Sequence, residues 1–169
     1  MKPIASPDPH LPESCAPSLE LERFLPYRLS VLSERISGAI ARLYQERFDL
    51  TIPEWRVLAI IGRFGPVTAT EVGQRTAMDK VRVSRAIARL VEHGRLAQSE
   101  DATDRRRKRL AFTRAGAAIY AEVVPLARAV EAGVLASLDP ATRSALDAVL
   151  TALEAAPLPT AQDRADHSP

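Results

Sequence analysis

A mainly α-helical protein with one small β-hairpin is predicted by three features of the 169-residue sequence. Apolar residues recur every three or four positions over most of its length, helix-start signals punctuate it, and one pair of short strand-like runs is separated by a turn. With 46% hydrophobic and 26% charged residues, the composition suits one ordinary domain with a real core. Both ends read as tails. Residues 1–20 are proline-rich (Pro3, Pro7, Pro9, Pro12, Pro17), and 156–169 are short, polar and proline-punctuated.

The first helix is expected from Leu25 to about Arg47, because Leu25, Leu29, Leu32, Ile36, Ala39 and Leu43 alternate spacings of four and three. That pattern makes one narrow apolar stripe, with Pro26 in the first turn and Ile40, Tyr44 and Phe48 widening the sticky face. Thr51-Ile52-Pro53-Glu54 has the form of a capping box and opens a second helix. This helix should turn Trp55, Leu58, Ile60 and Ile61 inward and stop before Gly65-Pro66. Thr68-Ala69-Thr70-Glu71 repeats the box and opens a short helix to about Thr76. Asp79 can cap a further helix to His93, with Gly94 as its left-handed stop.

Leu96–Glu100 and Lys108–Phe112 read as the two strands of a hairpin, with Asp101 to Arg107 as its turn. Thr113 then caps a long alanine-rich helix to about Ser137, striped by Ile119, Val123, Leu126, Val130 and Val134, with a bend expected at Pro125. Asp139-Pro140 starts a last helix carrying Ala145, Leu146, Val149, Leu150 and Leu153.

Charge is concentrated in one part of this plan. Residues 79–114 hold eleven Lys/Arg against five Asp/Glu, a local charge of +6 in a chain whose total is +2. Such a patch is the electrostatic footprint of nucleic-acid binding, although a solvated charged loop is the common alternative. At 100° per residue, Val83, Ala86, Ile87 and Leu90 share one face of the helix after Asp79. Val81, Arg82, Arg85 and Arg89 share the opposite face, with Ser84 at the margin. A short helix, a turn, a helix with one core face and one basic face, and an arginine-tipped hairpin together spell a winged helix-turn-helix. A major groove about 12 Å wide admits such a helix.

At this point the chain resembles the MarR family of bacterial transcription regulators over roughly residues 22–155. The resemblance is carried by Thr51-Ile52-Pro53-Glu54-Trp55-Arg56-Val57-Leu58 and by Ser84-Arg85-Ala86-Ile87-Ala88-Arg89-Leu90-Val91-Glu92-His93-Gly94-Arg95-Leu96. It extends through the wing phrase Asp101-Ala102-Thr103-Asp104-Arg105-Arg106-Arg107 to Leu110-Ala111-Phe112-Thr113-Arg114-Ala115-Gly116. The resemblance implies a homodimer whose first helix (residues 21–50) and last helices (115–155) interlock, with a DNA-binding lobe at 51–114. It also implies a pseudo-palindromic operator, repression, and release by a small aromatic or phenolic anion. The sequence supports dimerisation independently, since the first and last stripes exceed what a winged helix of about 90 residues can cover itself.

Residue roles follow from chemistry, helped by the family. Arg82 and Arg85 suit base-edge contact, because a guanidinium matches the O6/N7 acceptors of guanine, and Val81 suits a thymine methyl. Lys80 and Ser84 suit phosphate, as do Thr68 and Thr70 at a helix start. Arg89, further from the groove-entering end, suits an acid or a phosphate. In the wing, Asp104 reads as structural, Arg106 as the minor-groove residue, and Lys108 as a phosphate contact. Arg105 and Arg107 alternate with Arg106, so one of them is free to pin the wing to its own domain. Tyr27, Arg28, Tyr44 and Trp55 are candidates for an effector site, with plain core packing as the alternative.

Other classes are disfavoured. No apolar run reaches the roughly 20 residues of a membrane span, and no signal core is visible, so a cytoplasmic protein is expected. The single cysteine, Cys15, cannot form an internal disulfide, and His10, His93 and His167 lack metal-ligand spacing. No cofactor is expected. Some members of the family sense oxidants through a cysteine near the N-terminus, but Cys15 lacks an adjacent base or arginine to lower its pKa. A phosphate loop, a nucleophile elbow and an acid-base pair are all missing, which disfavours an enzyme. A winged helix that binds a protein partner would show an acidic or apolar recognition face, unlike Arg82 and Arg85.

Overall fold

The computed structural model describes residues 19–100 and 107–157. Six helices and three strands follow in the order α1 (Leu25–Phe48), α2 (Ile52–Phe64), β1 (Val67–Thr68), α3 (Ala69–Arg75), α4 (Lys80–Glu92), β2 (Leu96–Glu100), β3 (Lys108–Phe112), α5 (Arg114–Ala136) and α6 (Pro140–Ala155). The chain groups into two compact units, Met1–Arg35 and Ile36–Pro169. In the first, Leu25, Tyr27, Leu29 and Leu32 are all exposed. The second holds the core and the features described below.

Helix starts follow the capping chemistry of the sequence. Thr51 and Thr68 each complete a capping box, with their side chains accepting from the Glu54 and Glu71 amides. The glutamates return to the cap amides at 2.7 Å in both cases. Asp79, Thr113 and Asp139 cap α4, α5 and α6 through the amides of Arg82, Gly116 and Thr142. Each cap satisfies an amide that the helix leaves without a partner. The α5 helix continues through Pro125.

The hairpin is one strand short of the observed sheet. β1 adds to it in the order β1-β3-β2, all antiparallel, with Val67 opposite Leu110 and Thr68 opposite Arg109. Two residues are too few to display an alternating pattern, which hides this strand from periodicity. Its backbone extension also sets the Thr68 cap, whose ψ is 161°. The core face of α2 also differs from the expectation. Glu54, Val57, Leu58 and Ile61 are buried, whereas Trp55 and Ile60 are half-buried against that core. In α4 the expected core face holds, with Val83, Ala86, Ile87 and Leu90 all buried.

One junction organises this unit. Gly94 takes φ +65°, its amide donates to the Val91 carbonyl at 2.9 Å, and the Arg95 amide donates to Leu90 at 2.8 Å. This pair of bonds is a Schellman stop, which needs the left-handed conformation that glycine adopts without cost from a Cβ. The Arg95 carbonyl then accepts from the Thr113 amide at 3.1 Å, and the Thr113 hydroxyl donates to the Gly94 carbonyl at 2.6 Å. The start of α5 therefore lies directly on the end of α4. The contact is so close that a Cβ at Gly116 would fall 1.9 Å from the Arg95 carbonyl oxygen.

Gly116→Ala forces backbone apart rather than a movable side chain, so it should cost about 1–3 kcal/mol of stability, as overpacking does. Exposed Ala117→Gly should cost only about 0.5–1 kcal/mol. Urea unfolding compares the two, and an equal or smaller loss at Gly116 would contradict the close approach.

Candidate nucleic-acid interface

On α4 the Asp79 carboxylate accepts from the Arg82 amide at 2.8 Å and lies 3.5 Å from the Arg82 guanidinium. Past this cap the helix turns its basic face outward: Lys80, Val81, Arg82, Ser84 and Arg85 are all exposed. Val81 is 58% exposed, an uncommon apolar projection among polar neighbours. Arg85 has no hydrogen bond or ion pair among the described residues. A helix anchored by four core residues thus presents two guanidiniums, an ammonium, a hydroxyl and an isopropyl group to solvent.

Arg89 departs from this set. Its guanidinium lies 2.8 Å from Asp49 and 3.3 Å from the buried Glu54 carboxylate. The pairing holds the Asp49 carboxyl below its ordinary value, mainly through the hydrogen bond from Arg89. Of the two partners the sequence allowed Arg89, the structure supplies the acid.

Two other cations of the basic segment are also turned inward, and neither was separated from the patch by sequence reasoning. Arg95 is buried and donates to the Phe48 and Asp49 carbonyls at the end of α1, where a cation complements the helix dipole. Arg109 donates to the Pro66 carbonyl at 2.8 Å and fixes β3 beside β1. Pinning of the wing was expected of Arg105 or Arg107, and Arg109 further along β3 also pins it. Arg105, Arg106 and Asp104 lie outside the described residues, as does Cys15.

Two clefts lie where α3, α4 and the wing meet. One cleft of about 690 Å³ is lined by Thr70, Gln74, Lys80, Ser84 and Gln98, with Val83 and Ile87 at its base. A second, of about 420 Å³, is lined by Thr68, Thr70, Glu71, Gln74, Arg107 and Lys108. Thr70 and Gln74 border both and join them. Thr70 is exposed, but the Thr68 hydroxyl is engaged by its cap, donating to Glu71 at 2.9 Å and accepting the Glu71 amide at 3.2 Å. The bonds from Thr68 also keep the Glu71 carboxyl below its ordinary value. Thr68 therefore acts as a helix cap, whereas Thr70 is exposed.

The aromatic residues divide. Tyr44 is wholly buried, its ring 5.9 Å from Trp55, and burial pushes its hydroxyl up to about 12 against the opposing pull of Arg56. Tyr44 is thus core, a correction to its candidacy as an effector contact. Trp55 continues to Tyr120 at 5.8 Å and Phe112 follows at 5.3 Å, a cluster in which Tyr120 was not foreseen. Tyr27 and Arg28 are exposed on the first unit. Among the described residues no helix is long and apolar enough to cross a membrane, and no group of side chains is placed to hold a metal ion.

A short helix, a turn, a solvent-facing second helix seated on the core, and a three-stranded wing define a winged helix-turn-helix protein. Residues 48–107 match the MarR family model, and the fold is that of the MarR-family winged-helix regulators. It is similar to Bordetella bronchiseptica BpsR, whose DNA binding is regulated by 6-hydroxynicotinic acid. Identity to BpsR is 26% and the TM-score 0.72, over 84% of this chain and 100% of that one. A probable transcriptional regulator from Pseudomonas aeruginosa is 27% identical, with a TM-score of 0.67 over 79% of this chain and 99% of the other. MarR from E. coli, at 20% identity and a TM-score of 0.63 over 76% of this chain and 95% of its own, shares the fold. No curated protein sequence matches the chain. Regulators of this family are non-enzymatic DNA-binding proteins.

The Asp79 carboxyl is held below its ordinary 3.8, chiefly by the hydrogen bond from the Arg82 amide. A lowered folded value means the cap stabilises above 3.8 and is lost as pH falls through the lower folded value. Asp79→Ala should therefore lower the thermal midpoint at neutral pH, with the gap to wild type closing in acid. A gap that stays constant to the lowest pH at which both fold would show that the carboxylate charge is not what caps α4.

Proposed function

We propose that this chain is a sequence-specific double-stranded DNA-binding repressor that works as a homodimer on a pseudo-palindromic operator and is released by a small aromatic ligand. The observation that carries the reading is the division of α4, with Val83, Ala86, Ile87 and Leu90 buried and Lys80, Val81, Arg82, Ser84 and Arg85 exposed. Arg82 and Arg85 read guanine edges in the major groove and Val81 packs on a thymine methyl. Lys80, Ser84 and Thr70 bind phosphates along one strand. Arg107 and Lys108, with Arg105 and Arg106, carry the wing to the backbone and the adjacent minor groove. Such a protein works in the cytoplasm, where the DNA is.

Dimerisation is supported by apolar surface that the subunit leaves bare. No residue of α6 is buried, and Leu146, Val149, Leu150 and Leu153 are each at least 38% exposed. Leu25, Leu29 and Leu32 of α1 are exposed as well. Covering a leucine or valine is worth roughly 1.5–3 kcal/mol, so a second subunit on these stripes gains enough to order the pair. On this reading 21–50 and 115–155 are dimerisation segments, 51–114 is the DNA-binding lobe, and 1–20 and 156–169 are tails. The aromatic acid that regulates BpsR supports an effector of the same kind here. Such a ligand acts only by preferring the state that binds DNA poorly.

Selection of bound duplexes from a random pool should return an inverted repeat whose half-sites lie about 10 bp apart, one turn of the helix. Recovery of no common sequence would defeat the reading. On the selected duplex Arg85→Ala should cost about 1–3 kcal/mol and relax base preference, whereas Lys108→Ala should weaken selected and scrambled duplexes alike. Gel-shift titration separates the two, and equal losses on both duplexes for Arg85→Ala would remove it from base contact. Light scattering should find a dimer that Leu150→Glu dissociates; an unchanged dimer would move the interface away from α6.

A further inference from the structure

The Arg89 side chain belongs by spacing to the outward face of α4, yet it is folded back onto the corner between α1 and α2. Its guanidinium spans two acids, with Nη2 at 2.8 Å from Asp49 and Nε at 3.3 Å from Glu54 Oε1. The acids differ in kind. Glu54 is 1% exposed, one of its oxygens is taken by the Thr51 cap, and the other has no hydrogen-bond partner among the described residues, with Arg89 as its counter-charge. Asp49 is exposed, its side chain 71% open to solvent, and its backbone takes φ +47°. That left-handed conformation is uncommon outside glycine and is tolerated best by aspartate and asparagine. At the same corner Arg95 binds the Phe48 and Asp49 carbonyls. Both the side chain and the backbone of Asp49 are therefore tied to the C-terminal half of the recognition helix or to the residues just after it.

Moving Arg89 to a phosphate would leave the Glu54 carboxylate buried without a counter-charge, a strongly unfavourable state. We propose that Arg89 is a positioning residue for operator recognition. By bridging Asp49 and Glu54 it fixes the direction in which α4 presents Arg82 and Arg85, without touching DNA itself. The inference rests on the DNA-binding reading above and deepens it, because it makes the corner that ends α1 a determinant of how the recognition helix is held. Arg82, Arg85 and Arg89 border a shared cleft against Thr51, Pro53 and Glu54, so a change in the Arg89 pairing acts on the wall from which the two base-reading residues project.

Electrostatics and positioning predict opposite signs for one substitution. Asp49→Asn removes a negative charge near the basic face and keeps a side chain suited to positive φ. If charge alone mattered, every duplex would bind tighter. If Asp49 acts through Arg89, the selected duplex binds several-fold more weakly while scrambled duplex binds as before or more tightly. Arg89→Gln supplies the second arm. A phosphate contact would reduce the slope of log K against log salt by about 1, whereas a positioning residue lowers specific affinity with the slope unchanged. Arg89→Lys, which keeps the charge and can still pair with Glu54, should recover part of the loss.

These titrations use the full-length chain, with circular dichroism at the assay temperature confirming that each variant is folded. Selected-duplex affinity that is unchanged or higher in Asp49→Asn, or a reduced slope in Arg89→Gln, overturns the proposal. If wild type itself fails to discriminate selected from scrambled duplex, the DNA-binding reading falls instead, so the two failures are distinguishable.

Discussion

Everything the α4 surface can do depends on the stop that follows it. Gly94 turns the chain so that Arg95 can do two things at once. Its backbone closes α4 through Leu90 and opens α5 through Thr113, while its side chain caps the end of α1. Three helix ends carrying partial charges and unpaired backbone groups are thereby satisfied at one residue. A cation buried at such a point is favourable because it faces carbonyls, where an unaccompanied guanidinium would be costly. The C-terminal end of α4 is thus held from several directions, and its N-terminal end carries the Asp79 cap.

The same logic sorts the arginines of the basic segment. Arg95 and Arg109 bind carbonyls and Arg89 binds carboxylates, so the solvent-facing charge of this region is smaller than its sequence charge. The remaining cations are arranged in space with more order than the sequence shows. Lys80 on α4 and Lys108 on β3 border two clefts that share Thr70 and Gln74. Extended polyanions bind well to a surface of this form, because charge repeats along it and neutral hydroxyl and amide groups fill the intervals.

Much of this fold was legible because its signals are local. Two capping boxes, three single-residue caps, the Gly94 stop and the core stripe of α4 each occupy a few consecutive residues, and each is found where the sequence puts it. What escaped was non-local. The strand Val67–Thr68 exists because β3 offers it a partner more than forty residues away, and two residues display no period. The fates of Arg89, Arg95 and Arg109 were set by Asp49, Phe48 and Pro66, which no helical wheel places beside them. Thr68 was legible as a cap, but the same hydroxyl cannot serve both its own helix and a phosphate. Trp55 read as inward from its apolar character, yet its ring spreads over a half-buried aromatic cluster whose other members, Tyr120 and Phe112, come from α5 and β3.

The bare leucines of α6 carry a thermodynamic implication. A helix with no buried residue in its own subunit draws little of its order from intramolecular packing, and amphipathic helices of this length are marginal alone in water. If a second copy supplies that packing, folding and association become one equilibrium, and the melting temperature rises with protein concentration. Dilution would then unravel the ends of the molecule before its winged centre, which keeps a core of its own. The number of copies in a cell would set how much of the regulator is competent, independently of any ligand.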